Sequence, residues 1–184
     1  GEDDFDGDGV TAGAGDCDDG EPAVRPGRAD LCNGRDDDCD GRIDEDVDGD
    51  ANLPALGAAL DLGNLTYADE RIIEGLLFPS TDVDRFVLRV DDVETRNFDI
   101  EAWVYGVPRA ADFVLELYWI ADASGRSRGL VQRSDAAGPG GYEVVNHGGS
   151  FGTDDSGRYG IVLRSKSGAD CRFPYQLQVL IGGV

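Results

Sequence analysis

The sequence predicts an all-β protein: an antiparallel β-sandwich of about eight strands, preceded by an irregular, disulfide-tied acidic segment. Three observations lead there. Short runs of alternating apolar and polar residues recur from about residue 60 onward, separated by turns rich in Gly, Pro and Ser. No stretch sustains the 3.6-residue apolar period of an amphipathic helix. The first 50 residues hold 19 of the 38 acids against only Arg25, Arg28, Arg35 and Arg42, and so carry fifteen of the 22 net negative charges. A segment that polar cannot build an apolar core of its own.

The shift in composition sets the expected boundaries: an acidic segment at 1–50, a linker at 51–63 and a sandwich at 64–184. A length of 184 residues suits one ordinary domain with an appendage. The excess of negative charge argues against binding nucleic acid or anionic lipid, whose phosphates would be repelled. No run approaches the roughly 18 to 20 apolar residues of a membrane helix, so membrane insertion is not expected. Cations are the natural partners. The opening at Gly1, inside an acidic run and without a leader, reads as a processed or excised fragment.

Within the acidic segment, Asp4-Phe5-Asp6-Gly7-Asp8-Gly9 is a D-x-D-x-D-G string, and Asp36-Asp37-Asp38-Cys39-Asp40-Gly41 repeats it 32 residues later. Alternate carboxylates can converge on one ion, while a Gly at the sixth position allows the sharp turn that brings the next carbonyl inward. Asp4, Asp6, Asp8 and the carbonyl of Val10 are therefore expected at a first ion. Asp36, Asp38, Asp40 and the carbonyl of Arg42 are expected at a second. A helix-loop-helix site would place a bidentate Glu at position 12, where this chain has Gly15 and Val47, so an EF-hand is disfavoured. Asp16 and Asp48 at position 13 of the two strings, Asp44 and Glu45, and Asp18 and Asp19 beside Cys17 are the candidates to complete the shells. Spacing alone does not divide them between ions.

Carboxylate and carbonyl oxygens are hard ligands. They suit calcium, two or more ions here, better than magnesium, which tolerates clustered carboxylates poorly, or copper, which wants imidazole, thiolate or thioether. The chain has one histidine and no methionine. Without an ion these carboxylates would repel one another, so the segment is expected to be poorly ordered when metal is stripped.

Three of the four cysteines, Cys17, Cys32 and Cys39, fall in this segment, and Cys171 lies far away. An even number points to two disulfides and an oxidising compartment, secreted or at the cell surface, with at least one bridge reaching the second half. Four cysteines allow three connectivities.

The runs Gly15-Asp16-Cys17-Asp18-Asp19, Arg25-Pro26-Gly27 and Leu31 to Glu45, which contains Cys32-Asn33-Gly34-Arg35-Asp36-Asp37-Asp38-Cys39-Asp40-Gly41, resemble the MopE-type metal-binding repeat of bacterial secreted and surface proteins. The resemblance covers about residues 3 to 48. It implies a metal site on an exported protein. Its label mentions copper, which the ligand set here does not favour. Many members carry a further cysteine upstream of the D-C-D-D element; this chain lacks it, and the resemblance offers Cys171 as the missing partner.

The expected strands, in order, are Arg71 to Leu77, Asp84 to Val90, Phe98 to Val104, Phe113 to Ile120, Gly129 to Arg133, Tyr142 to Asn146, Tyr159 to Ser165 and Tyr175 to Ile181. Phe86, Leu88 and Val90 alternate with Arg85, Val87 and Arg89, the mark of a strand with one buried and one wet face. Leu53 to Leu62 reads as linker. The runs Asp82 to Leu88, Asp155 to Leu163 and Pro174 to Val179 resemble the bacterial pre-peptidase C-terminal domain, a β-sandwich appended to exported proteases. That likeness implies architecture rather than activity.

No catalytic constellation emerges. His147 has no nucleophile or second histidine beside it and reads as a loop residue. Asp154 and Asp155 lie in a Gly-rich turn, and Gly138 to Gly141 lacks the Lys of a phosphate loop. Trp103, Tyr105, Tyr118 and Trp119 are expected to pack the sandwich, although outward aromatics can stack on sugars or a protein partner. The expectation is thus a non-enzymatic, extracellular calcium-binding structural or adhesive module, in which calcium orders the acidic segment against the sandwich. The alternative is an accessory domain of a secreted hydrolase that binds an extracellular polysaccharide or a surface protein.

Overall fold

The computed structural model describes residues 3–44, 58–91, 99–122, 125–127, 129–148 and 156–182. The chain divides into two units, Gly1–Asp48 and Gly49–Val184. The first unit contains, among its described residues, a single 3₁₀ turn at Ala12–Ala14 and otherwise only turns and loops. No helix among the described residues is long and apolar enough to cross a membrane.

Among its described residues the second unit has nine strands: β1 (Leu60–Leu65), β2 (Glu70–Gly75), β3 (Val83–Val90), β4 (Asp99–Tyr105), β5 (Asp112–Asp122), β6 (Gly129–Ser134), β7 (Glu143–Gly148), β8 (Gly157–Ser167) and β9 (Tyr175–Gly182). They form two sheets, ordered β1-β3-β8-β5-β6 and β2-β9-β4-β7. Alternation decides which side chains meet between them. Phe86, Leu88, Leu115, Leu117, Tyr159, Ile161 and Leu163 come from the first sheet, and Ile100, Ala102, Val104, Leu177, Val179 and Ile181 from the second; all are buried in one cluster. One polar pair enters this interior: the Tyr175 hydroxyl donates to Asp84 Oδ2 at 2.6 Å, both residues being buried.

Eight of the nine strands lie at the expected places with ends displaced by a few residues, and Phe98 lies outside the described residues. The ninth, β1, corrects the linker reading: it begins at Leu60, inside the span 51–63. It also pairs parallel to β3, in a sandwich expected to be antiparallel. The physical reason is local. Gly63 has φ +83°, its N–H is held by Asp61 Oδ1 at 2.9 Å, and the register with β3 slips between Asp61 and Asn64. This bulge turns Leu62 and Leu65 to the same, buried side at a spacing of three, which breaks the period-two signature of a strand.

His147 departs from expectation as well. It sits in β7 rather than a loop, half-buried against the rings of Trp119 and Tyr159 at 5.5 and 5.8 Å. Trp119 is buried in the core as expected. Trp103 is not: it faces outward and stacks on Tyr142 at 5.9 Å.

Candidate metal centre

Each D-x-D-x-D-G string folds into a loop whose own amides hold the carboxylates. In the first, Asp4 accepts Gly7 N–H at 2.7 Å and Gly9 N–H at 3.0 Å. Asp6 Oδ1 accepts Asp8 N–H at 3.0 Å, and Asp8 Oδ1 accepts Val10 N–H at 2.8 Å. In the second, Asp36 accepts Asp40 and Gly41 N–H, Asp38 Oδ1 accepts Asp40 N–H at 3.0 Å, and Asp40 Oδ1 accepts Arg42 N–H at 2.9 Å. The backbone repeats too: Gly7 and Gly9 have φ +80° and +97°, and their counterparts Cys39 and Gly41 have +61° and +94°. Glycine at the sixth position is therefore a steric requirement in both loops.

Carboxylates held this way by one oxygen can offer the other. In the first loop Oδ1 of Asp6 and of Asp8 is tied to the backbone, and Asp16 Oδ1 likewise accepts Asp18 N–H at 2.8 Å. The Oδ2 atoms of Asp6, Asp8 and Asp16 are buried and have no hydrogen-bond partner. Asp16 is itself only 5% exposed. Carboxylate oxygens of Asp4, Asp6 and Asp8 lie within 4.8 Å of one another. Arg25 braces the group from one side, its guanidinium donating to the Asp8 carbonyl at 2.5 Å and standing 3.7 Å from the Asp8 carboxylate.

In the second loop the convergent set is Asp30, Asp36 and Asp38. Asp30 escaped the sequence reading because it precedes the string by six residues and belongs to no repeat. It is 5% exposed, and its Oδ1 accepts Asp37 N–H at 2.8 Å and Asp38 N–H at 3.2 Å, which folds it over the loop. Asp37, also passed over, is buried as a structural acceptor for Leu31 N–H and the Asn33 side-chain amide.

Electrostatics register the crowding. Burial, together with the charges of Asp8, Asp16 and Asp4, raises the Asp6 carboxyl above its ordinary value. Burial with Asp40, Asp30 and Asp36 does the same to Asp38. Burial also pulls Asp4 upward, but the amides of Gly7 and Gly9 outweigh it and hold it below the ordinary value. A cation between the carboxylates would remove the repulsion that raises Asp6 and Asp38.

The other expected ligands fall differently. Val10 and Arg42 close their loops through their N–H groups. Asp18 is exposed and pairs with Arg35 at 2.9 Å. Asp19 Oδ1 is buried without a hydrogen-bond partner, but Asp19 is in neither convergent set. Asp44 has φ +59°, and its carboxylate accepts the Asn33 and Gly34 amides at 3.0 to 3.1 Å, pinning that turn. Glu45 and Asp48 lie outside the described residues. A Cys17–Cys39 disulfide joins the two halves of this unit, placing the neighbour of Asp16 against the residue between Asp38 and Asp40. No cysteine is free.

Every convergent donor is a carboxylate oxygen, and the cysteines are oxidised, so the set fits a hard cation and not copper. Among known proteins, residues 16–45 match a family profile described as "Putative metal-binding motif", of the MopE type. The chain thus combines a segment similar to that profile with a β-sandwich. The sandwich is similar to the pre-peptidase C-terminal domain of a collagenase from Bacillus anthracis, at 11% identity and TM-score 0.42, covering 67% of this chain and 96% of that one. It is similar also to PliG, a periplasmic inhibitor of g-type lysozyme from Aeromonas hydrophila, at 16% identity and TM-score 0.37, covering 67% and 99%. No curated protein matches this sequence.

Proposed function

We propose that the acidic unit binds two calcium ions, one at Asp4, Asp6, Asp8 and Asp16 and one at Asp30, Asp36 and Asp38, and that the ions order this unit within an extracellular structural or adhesive protein. The observation that carries the reading is the set of buried Oδ2 atoms of Asp6, Asp8 and Asp16 that accept no hydrogen bond, each carboxylate aimed by a hydrogen bond to its other oxygen, with only the Arg25 guanidinium 3.7 Å from that of Asp8. Buried carboxylate oxygens without partners are costly unless a cation takes them. Oxygen donors in this number suit calcium, which accepts six to eight at about 2.3–2.6 Å; backbone carbonyls, including those of Val10 and Arg42, and water would complete the shells.

The role of the ions is thermodynamic. A cation that binds only the folded unit stabilises it by RT ln(1 + [Ca]/Kd), about 2.7 kcal/mol at a hundredfold excess over Kd. Extracellular calcium would keep the unit folded, and the disulfides are consistent with such a compartment. The test is calorimetric titration of chelator-stripped protein with calcium, alongside amide spectra of residues 3–44. Two bound ions and sharpening of those amides are expected. No heat, or an unchanged spectrum under chelator, would overturn the proposal; tighter magnesium than calcium binding would overturn the metal assignment.

A further inference from the structure

The outward face of the four-stranded sheet β2-β9-β4-β7 has a composition that packing does not require. Register places its side chains in three rows across the strands: Glu70, Leu180, Glu101 and Asn146; Ile72, Gln178, Trp103 and Val144; and Glu74, Gln176 and Tyr105, with Tyr142 continuing β7. Each row spans about 14 Å, three strand spacings. Trp103 and Tyr142 stack with ring centroids 5.9 Å apart and planes inclined by 27°. Tyr142 is 58% exposed and Ile72 60% exposed. Tyr105 follows Trp103 on the same side of β4.

The polar groups around these rings are aligned in pairs. The Gln176 side-chain amide donates to Glu74 at 2.8 Å, and that of Gln178 donates to Glu70. The Trp103 indole N–H points at Glu101 Oε2 at 3.4 Å. These three rows contain no Lys or Arg. A face with aromatic rings on β4 and beside β7, amides and carboxylates next to them and no Lys or Arg in its three rows is poorly suited to a phosphate, a sulfate or an anionic membrane. Pressing it against a second copy of itself would oppose two acidic faces with no basic group to offset them.

A neutral sugar chain meets each feature. Its C–H faces stack on aromatic rings, and its hydroxyls both donate to carboxylates and accept from amides. Rigid aromatics already ordered on a sheet also lose little entropy on binding. We propose that this face binds a neutral polysaccharide strand, with Trp103, Tyr105 and Tyr142 as the stacking platform and Gln176, Gln178 and Glu101 as hydroxyl partners. The face lies wholly in the sandwich unit, so its binding does not depend on the calcium reading.

The experiment is affinity electrophoresis and tryptophan fluorescence titration of the full chain with hydroxyethylcellulose, laminarin and galactomannan, with dextran sulfate as the anionic counter-probe. Each is run with calcium and with chelator. At least one neutral glucan or mannan should retard the protein under both conditions. Trp103→Ala and Gln178→Ala should weaken retardation at least tenfold while the melting profile keeps its cooperativity. Leu130→Ala, exposed on the other sheet, should leave it unchanged. Failure of all three neutral polymers to retard the protein overturns the proposal. So does retention by dextran sulfate alone, retardation indifferent to Trp103→Ala and Gln178→Ala, or a concentration-dependent dimer abolished by Trp103→Ala.

Discussion

Replacing Cys17 and Cys39 together by Ser tests how the acidic unit prepares its sites. The bridge closes a loop of sequence separation 22 and ties the residue after Asp16 to the residue between Asp38 and Asp40. In the chain-entropy treatment, cross-linking a loop of that size removes about 11 cal/mol/K from the open chain, about 3.4 kcal/mol at 25 °C. Crowded carboxylates disfavour the closed arrangement without metal, so in the double variant an ion must itself supply the closure. At about 1.4 kcal/mol per tenfold, the apparent calcium affinity should fall by up to roughly 300-fold. The assay is competition with a calibrated chelator at neutral pH and about 0.15 M salt, without reductant, following both ions. A variant that keeps two ions with affinities within threefold of the parent would refute the idea that the bridge pre-closes the loops.

Other expectations follow from single contacts. Asp30→Asn should weaken one of two ions at least tenfold and spare the other, read as a change from two equivalents to one in the tight phase of the titration. Tyr175→Phe removes the donor to buried Asp84 and should cost about 1–3 kcal/mol, seen as a lower denaturant midpoint at unchanged slope. Because Asp6 and Asp38 have raised folded-state pKa values, these two carboxyls bind more protons in the metal-free folded unit than in the unfolded chain just above the ordinary aspartate value of 3.8, and the lowered Asp4 opposes them in sign. Their joint contribution to stability should fall as pH rises through that window, and Asp4→Asn should steepen the fall, while calcium affinity rises over the same range as protons stop competing. Opposite slopes for chelated and calcium-loaded protein in pH-dependent unfolding are the check, and parallel slopes would contradict it. Peptide mapping without reduction should recover Cys17 with Cys39; an alkylatable thiol at either position would contradict that bridge.

Much of this protein is legible from residue order alone. Period-two alternation located most of the eight strands because they have one buried and one wet face, as β3, β4 and β9 do; β5, buried on both faces from Asp112 to Leu117, showed instead as a continuous apolar-rich run. The D-x-D-x-D-G strings located both loops, because their hydrogen bonds run between residues two to five apart, and so local spacing contains them. The glycine at the sixth position is dictated by the same local geometry, a positive φ at Gly9 and Gly41.

What residue order could not decide depends on contacts between distant segments. Asp30 becomes a ligand candidate only when the chain folds back over Asp37 and Asp38. β1 is a strand only because β3 lies beside it, and its bulge at Gly63 erases the alternation that would have announced it. Asp18 and Asp44 look like ligands in spacing but are claimed by Arg35 and by the Asn33–Gly34 turn. Trp103 and Trp119 are alike as letters, yet one is core and the other surface, since strand parity assigns a side to each and only the pairing of sheets says which side is inside. Local spacing determined where acidic loops form and where most strands run; tertiary structure decided which carboxylates converge and which aromatics face outward, because burial and hydrogen-bond competition exist only once the segments are brought together.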